Sequence, residues 1–361
     1  MYSIPIYIGS PESEFLATIA ILHSGIWVQG VDCPNCKLVS SQYDPHNSTS
    51  SFYQNKSSSY EDLNKKLILE GSVYSDTVNI SGLVITTDIS VASQFVDPFN
   101  LAEDGILGLG KDQNSIVFKW YELGYLSSPV YSLYNPVDDY PYLLLDELNF
   151  TDLDLDLNET LKISLKESLS GELSFNDKTY EAYPVEFSSI NSYFSGPYVI
   201  MQELYSDLIE NFNCYYVEEY LACECDSEFK DIYITIQGVT LTIPSSLYLM
   251  TVQNACFLYA ETGSDRWILG EPLLKNYLVS VDLLEESINF YVVSPKEHYE
   301  PSAFETYEGW AVVIGAVLGS LAIYLAAAGI YQIIKKRMER EDEEGAPLLE
   351  VQSNKGKSRQ I

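Results

Sequence analysis

From Trp310 to Ile334 the chain reads WAVVIGAVLGSLAIYLAAAGIYQII, 25 residues without a charge. As a helix it would be about 37 Å long, enough to cross a hydrocarbon core of ~30 Å with some tilt. Trp310 and Tyr331 lie near its two ends, where aromatic rings favour the membrane interface. Lys335, Lys336 and Arg337 follow at once, whereas Glu297, Glu300, Glu305 and Glu308 precede it. That asymmetry places the C-terminus in the cytosol and the large N-terminal part outside or in a lumen. A buried helix of a soluble protein is rarely so long, so uncharged and so flanked by bases. The expected layout is a folded part to residue 297, a stalk over 298–309, a span over 310–334 and a tail over 335–361.

The lumenal side carries its own signals. Asn-x-Ser/Thr acceptors stand at Asn47, Asn55, Asn79, Asn149 and Asn158, all before the span. All six cysteines (Cys33, Cys36, Cys214, Cys223, Cys225 and Cys256) lie there too, an even number suited to disulfides in an oxidising compartment. Cys33-x-x-Cys36 could instead serve redox or metal chemistry, but no second pair of zinc ligands or thioredoxin-like pattern accompanies it. The opening MYSIPIYIGSPES reads directly as strand and turn, so a lumenal domain of this kind is expected to have been processed, or its start placed too late.

Charge excludes one class of partner. Residues 1–334 hold 46 acids and 13 bases, and the tail 6 acids and 7 bases, so the net charge of −32 belongs to the part before the tail. Such a surface repels phosphate, which rules against nucleic acid. It is either ordinary solvation or an adaptation to an acidic lumen, where protonated carboxylates no longer repel one another.

Residues 1–297 are mostly short Val-, Ile-, Thr- and Tyr-rich runs between Gly, Pro, Asn and Ser clusters, with helices expected only near 115–125 and 198–212. Two similar steps fall in opposite halves: Asp104-Gly-Ile-Leu-Gly-Leu-Gly110 and Trp267-Ile-Leu-Gly-Glu-Pro272. A glycine after two apolar residues lets a strand pass close beside another backbone, and a pair of such steps hints at duplication.

DGILGLG and WILGEPLLKNYLVSVD resemble the pepsin-type aspartic peptidases. Other landmarks follow in that family's order: YSIPIYIGSP at Tyr2–Pro11, VYSDTV at Val73–Val78, PVYSL at Pro129–Leu133, Gly196-Pro197, and Cys225 and Cys256 before Trp267. The likeness covers about residues 1–295, and with the span it looks like the membrane-anchored, beta-secretase-like branch. It implies an all-β, two-lobed pepsin-like fold, with lobes over 1–140 and 141–297, plus one C-terminal transmembrane helix. By family position it also implies disulfides Cys33–Cys36 and Cys225–Cys256, leaving Cys214–Cys223. No cofactor or metal is implied.

The family's catalytic aspartates are missing from this pattern. Laid without gaps from Phe15 to Trp27-Val28, the first Asp-Thr-Gly falls on Ala20, Ile21 and Leu22. A gapped alternative sets His23-Ser24-Gly25 there, again without an aspartate. Counted back from Gly196-Pro197, the second motif falls on Ser188, Ser189, Ile190 and Asn191. Glu186 is two residues away along a strand, roughly 6.6 Å, too far to substitute by side-chain choice alone. The flap tyrosine's place falls near Asn64, although Gly71 fits. Aspartic peptidases need two carboxylates sharing one proton, and general acid–base assistance is worth roughly 10²–10⁴-fold. Neither Ala20 nor Ser188 supplies it, and the three histidines (His23, His46, His298) do not compose a serine-type triad.

The expected protein is a single-pass type I membrane glycoprotein whose pepsin-like ectodomain is an inactive peptidase homologue, binding peptides or proteins in an interlobe cleft. The competing reading is an active acid endopeptidase with a misassigned or atypical site. In the tail, Glu344-Gly-Ala-Pro-Leu348-Leu349 fits an acidic dileucine signal for clathrin adaptors, pointing to endosome, lysosome or plasma membrane. Gly315 and Gly319 form a GxxxG step that could pair two copies.

Overall fold

The computed structural model describes residues 2–34, 36, 41–61, 67–96, 103–112, 115–135, 141–148, 156–217, 220–225, 228–252 and 255–294. The expected stalk, the span with Gly315 and Gly319, and the tail with Glu344, Leu348 and Leu349 lie outside these residues, as do Asn64 and Asn149. Among the described residues no helix is long and apolar enough to cross a membrane. Met1–Lys296 form one compact unit.

In chain order the first half builds β1 (Ser3–Ile8), β2 (Ser13–Ala20), β3 (Ser24–Gln29), β4 (Phe52–Glu61), β5 (Ile68–Ile80), β6 (Leu83–Val96), β7 (Gly105–Leu109), α1 (Ile116–Glu122), β8 (Val130–Tyr134) and β9 (Tyr142–Leu145). The second half builds β10 (Asp156–Ser164), β11 (Ser170–Phe175), β12 (Lys178–Thr179), β13 (Tyr183–Phe187), β14 (Phe194–Pro197), α2 (Tyr198–Phe212), β15 (Tyr215–Val217), β16 (Tyr220–Glu224), β17 (Ile232–Ile236) and β18 (Val239–Ile243). It continues with α3 (Ser245–Tyr248), β19 (Leu249–Val252), β20 (Ala255–Leu258), β21 (Ala260–Ser264), β22 (Trp267–Leu269), α4 (Glu271–Leu274), β23 (Leu278–Asp282) and β24 (Ser287–Ser294).

Local chemistry explains these strands. In β17 the buried Ile232, Ile234 and Ile236 alternate with Tyr233 and Thr235, the period of a strand with one face on a core. Two-residue turns at Ser81-Gly82 and Gln237-Gly238 carry positive φ at both positions, which suits the twist of the hairpins they close. Helix α1 is capped by Ser115 Oγ, which accepts from Phe118 N, and α2 ends on the left-handed Asn213.

The duplication is visible in the topology. β7 lies between β2 and β3, parallel to the first and antiparallel to the second. β22 lies likewise between β13 and β14. Outside each trio another strand joins in parallel, β6 on β3 and β21 on β14. A five-stranded sheet, β10-β24-β23-β8-β9, draws strands from both halves. One core cluster accordingly runs through both, burying Trp120 and Tyr131 with Trp267 and Phe290. Each large apolar side chain so buried is worth about 1.5–3 kcal/mol.

Candidate functional site

Strand register equates the two halves residue by residue. Ile19 pairs with Leu107 and Phe187 with Leu269, and these leucines hold the same place in the two Ile-Leu-Gly steps. Ala20 and Ser188 are therefore equivalent positions, as are Leu22 and Ile190. Both lead into turns that cross the end of the inner strand. A Cβ on Gly108 would lie 2.8 Å from His23 O, and one on Gly270 only 2.0 Å from Tyr193 O. Only glycine allows either approach.

The two turns meet at Ser189. Its Oγ accepts from Ile21 N at 2.9 Å and donates to Ile19 O at 2.6 Å, with Ser189 only 1% exposed. The bond is one-sided, because Ile21, the matching residue of the first half, has no side-chain oxygen to return it. Ser188 N donates to Leu269 O, and Ser188 Oγ accepts from Asn191 N at 3.4 Å. Leu22 takes a left-handed φ of 65° at a position where the resembled motif has glycine.

Apolar side chains fill the space around this meeting point. Ala20, Trp27, Tyr60, Leu67, Leu69, Ala92 and Ile106 form a buried cluster, with Ile190 from the second half packed against it. Tyr60 stands edge-on to His23, centroids 5.4 Å apart, and lies 6.2 Å from Trp27. Tyr60 is on β4, opposite Leu69 of β5, so this hairpin covers the first turn.

The other titratable groups nearby are committed elsewhere. Glu186 Oε1 receives Arg266 Nη1 at 2.5 Å, while its Oε2 is buried without a hydrogen-bond partner. Asp104, at the head of the first glycine-rich step, accepts from Leu16 N and Ser41 N. Asp76 is buried and accepts from Tyr43 Oη and Ser50 Oγ, each at 2.5 Å, and from Thr77 N at 2.7 Å. Burial alone would raise its pKa, but these bonds and Ser48 outweigh it and hold the carboxyl below its ordinary range. Among the described residues no group of three His, Cys, Asp or Glu side chains is placed to hold a metal ion.

Beside the second turn, a groove of about 410 Å³ is lined by Tyr193, Tyr220, Met250, Val252 and Tyr259. Three of these, Tyr220, Met250 and Val252, are exposed to about half their surface (60%, 47% and 44%). The disulfides are Cys33–Cys36, Cys214–Cys223 and Cys225–Cys256, the pairing expected from the resemblance. Of the asparagines in Asn-x-Ser/Thr steps, Asn47 and Asn55 are exposed, Asn158 lies in β10, and Asn79 is half-buried with its amide donating to Glu12 Oε1.

Sequence reading did not single out Tyr60 or Arg266. Tyr60 sits four residues before the expected flap position, and nothing local announces a ring contact made across a sheet. Arg266 directly precedes Trp267, a weak signal that it accompanies Glu186 on the neighbouring strand.

A family described as "Eukaryotic aspartyl protease" matches residues 1–292. Pepsin A of Canis lupus familiaris is 24% identical over 326 residues, covering 80% of this chain and 80% of its own. Pregnancy-associated glycoprotein 2 of Bos taurus is 24% identical over 306 residues, covering 77% and 78%. Pepsin-3 of Oryctolagus cuniculus is 23% identical over 319 residues, covering 76% of each.

Proposed function

Since the chain belongs to the eukaryotic aspartyl protease family, we propose that its folded part is a pepsin-like peptide-binding module that lacks the carboxylate pair and does not cleave what it binds. The observation that carries this reading is the apolar cluster of Ala20, Trp27, Tyr60 and Ile106 with Ile190 against it. A shared-proton dyad requires two carboxylates and a water. The equivalent places here hold a methyl group and a hydroxyl that accepts a backbone N–H.

Peptide binding outlives such a loss, because extended chains are held by backbone bonds and side-chain pockets. The groove beside Tyr193 and Tyr259 offers such a pocket for an apolar side chain. The wider reading rests on the sequence: a lumenal glycoprotein with one span over 310–334 and a tail that directs it through endosomes. Pairing through Gly315 and Gly319 belongs to the same reading.

A working acid endopeptidase with an atypical site is the second reading, favoured by the reach of the family match over the folded part. Purified full-length protein, incubated with a peptide library from pH 3 to 7 with and without pepstatin, separates the two. The binding module leaves every peptide intact while retaining measurable affinity for some of them. Inhibitor-sensitive turnover would establish the peptidase instead.

A further inference from the structure

Three cysteines stand in one row across the four-stranded sheet β15-β16-β20-β19. Cys223 of β16 is the register partner of Cys256 of β20, which in turn faces Thr251 of β19. On the other side Tyr215 pairs with Ala222, so Cys214, one residue before β15, stands opposite Cys223, to which it is bonded. Cys223 therefore has a cysteine on each side and is bonded to one of them. The other, Cys256, is bonded to Cys225, one residue beyond the end of β16. Opposed residues of an antiparallel pair have Cα atoms about 4.5–5.5 Å apart, and a disulfide spans about 4.4–6.8 Å. Cys223 and Cys256 thus hold the backbone geometry of a disulfide while each is joined to a different partner.

Burial decides where a reaction on this row begins. Cys214, Cys223 and Cys256 are 5%, 1% and 6% exposed, whereas Cys225 is half-buried. Attack on Cys225 makes Cys256 the leaving sulfur. Thr251 Oγ1 lies 3.4 Å from Cys256 Sγ and can donate to the charge that sulfur takes on. At the far end of the row, Cys214 Sγ lies 3.7 Å from Phe212 O, an acceptor for the S–H of a freed thiol.

We propose that the row is a thiol–disulfide exchange relay, with Cys225 as its site of modification by a small thiol. The incoming thiolate, its proton given to water, attacks Cys225 Sγ, forms a mixed disulfide and expels Cys256 as a thiolate. Cys256 then attacks Cys223 Sγ from the side away from Cys214, forms the Cys223–Cys256 bond and expels Cys214, which takes a proton from water. Two S–S bonds break and two form, and one thiol is consumed as another appears. A tie between the end of α2 and β16 is exchanged for one between β16 and β20. Tyr220, Met250, Val252 and Phe257 alternate with the row and stand on the sheet's other face, so the new bond fastens the strands beneath the groove. The relay does not depend on whether that groove holds peptides.

Cysteamine is the probe, because its ammonium suits Glu224 and Asp226 on either side of Cys225. Full-length protein in a nonionic detergent is treated with graded cysteamine at pH 8, quenched in acid and alkylated, and its disulfides are mapped by mass spectrometry without reduction. At the lowest concentrations that open either bond, cysteamine should be found on Cys225, the alkyl group on Cys214, and a bond between Cys223 and Cys256. Cys214→Ser tests the second step without any added thiol: its free Cys223 should displace Cys225, so that a Cys223–Cys256 bond and an alkylated Cys225 appear. Cysteamine that leaves Cys214–Cys223 intact and Cys256 alkylated would overturn the proposal. So would resistance of all four cysteines, or a Cys214→Ser protein that holds Cys225–Cys256 alone.

Discussion

Ser189, 1% exposed, is the side chain through which the two equivalent turns are hydrogen-bonded. Its hydroxyl joins two turns that are 168 positions apart in sequence, accepting from Ile21 N and donating to Ile19 O. Ser189→Ala leaves a buried N–H without an acceptor, so chemical denaturation should show a loss of about 1–3 kcal/mol. Ser189→Thr, which keeps the oxygen, should recover most of it. An unchanged denaturation midpoint in the alanine variant would mean the bond contributes nothing. Restoring carboxylates is a different matter. Ala20→Asp with Ser188→Asp places one new carboxyl beside Trp27, Tyr60 and Ile106, where burial favours its protonated form. Leu22 and Ile190 still occupy the glycine positions. The double variant should therefore show no pepstatin-sensitive turnover from pH 3 to 7, and should be about 2 kcal/mol or more less stable. Turnover by that variant would mean the apolar cluster is no obstacle to the chemistry.

At the scale of elements, the pair of Ile-Leu-Gly steps was readable because its cause is local, while the three strands around each step came only from the structure. Ile-Leu-Gly must leave out a Cβ wherever its strand passes under a turn, and Gly108 and Gly270 both do so. Contacts made across sheets were not readable in this way. The hydrogen bonds that fasten the segment around Tyr43 and Ser50 to β5 converge on Asp76, and no spacing in the sequence announces them. Because those bonds lower the folded-state pKa of Asp76, its contribution is fully present above the unfolded value, about 4, and is lost as pH falls through the folded one. The stability difference between wild type and Asp76→Asn should therefore stay constant from pH 7 to 5 and shrink only below about pH 4. A difference already gone at pH 5.5 would mean that the carboxylate is not held ionised by its neighbours.

For the whole molecule, the sequence divides into a folded part, whose family the comparisons establish, and a C-terminal part whose role rests on composition and order. The disulfide pairing was recoverable only through the resemblance, since six cysteines allow 15 pairings and spacing does not choose among them. With the proposed span ending at Ile334, Leu348 lies 14 residues further on, and an extended chain of that length would reach ~45 Å, clear of the headgroups. Glu339, Glu341, Asp342, Glu343 and Glu344 suit a basic adaptor surface, and Pro347 disfavours a helix that would hide the leucines. A reporter carrying residues 305–361 should collect in endosomes or lysosome-like vacuoles, and Leu348→Ala with Leu349→Ala should shift it to the cell surface. If quantitative imaging finds the same distribution for both, the motif is a chance match. The peptide-binding reading of the folded part would then stand without its endosomal address.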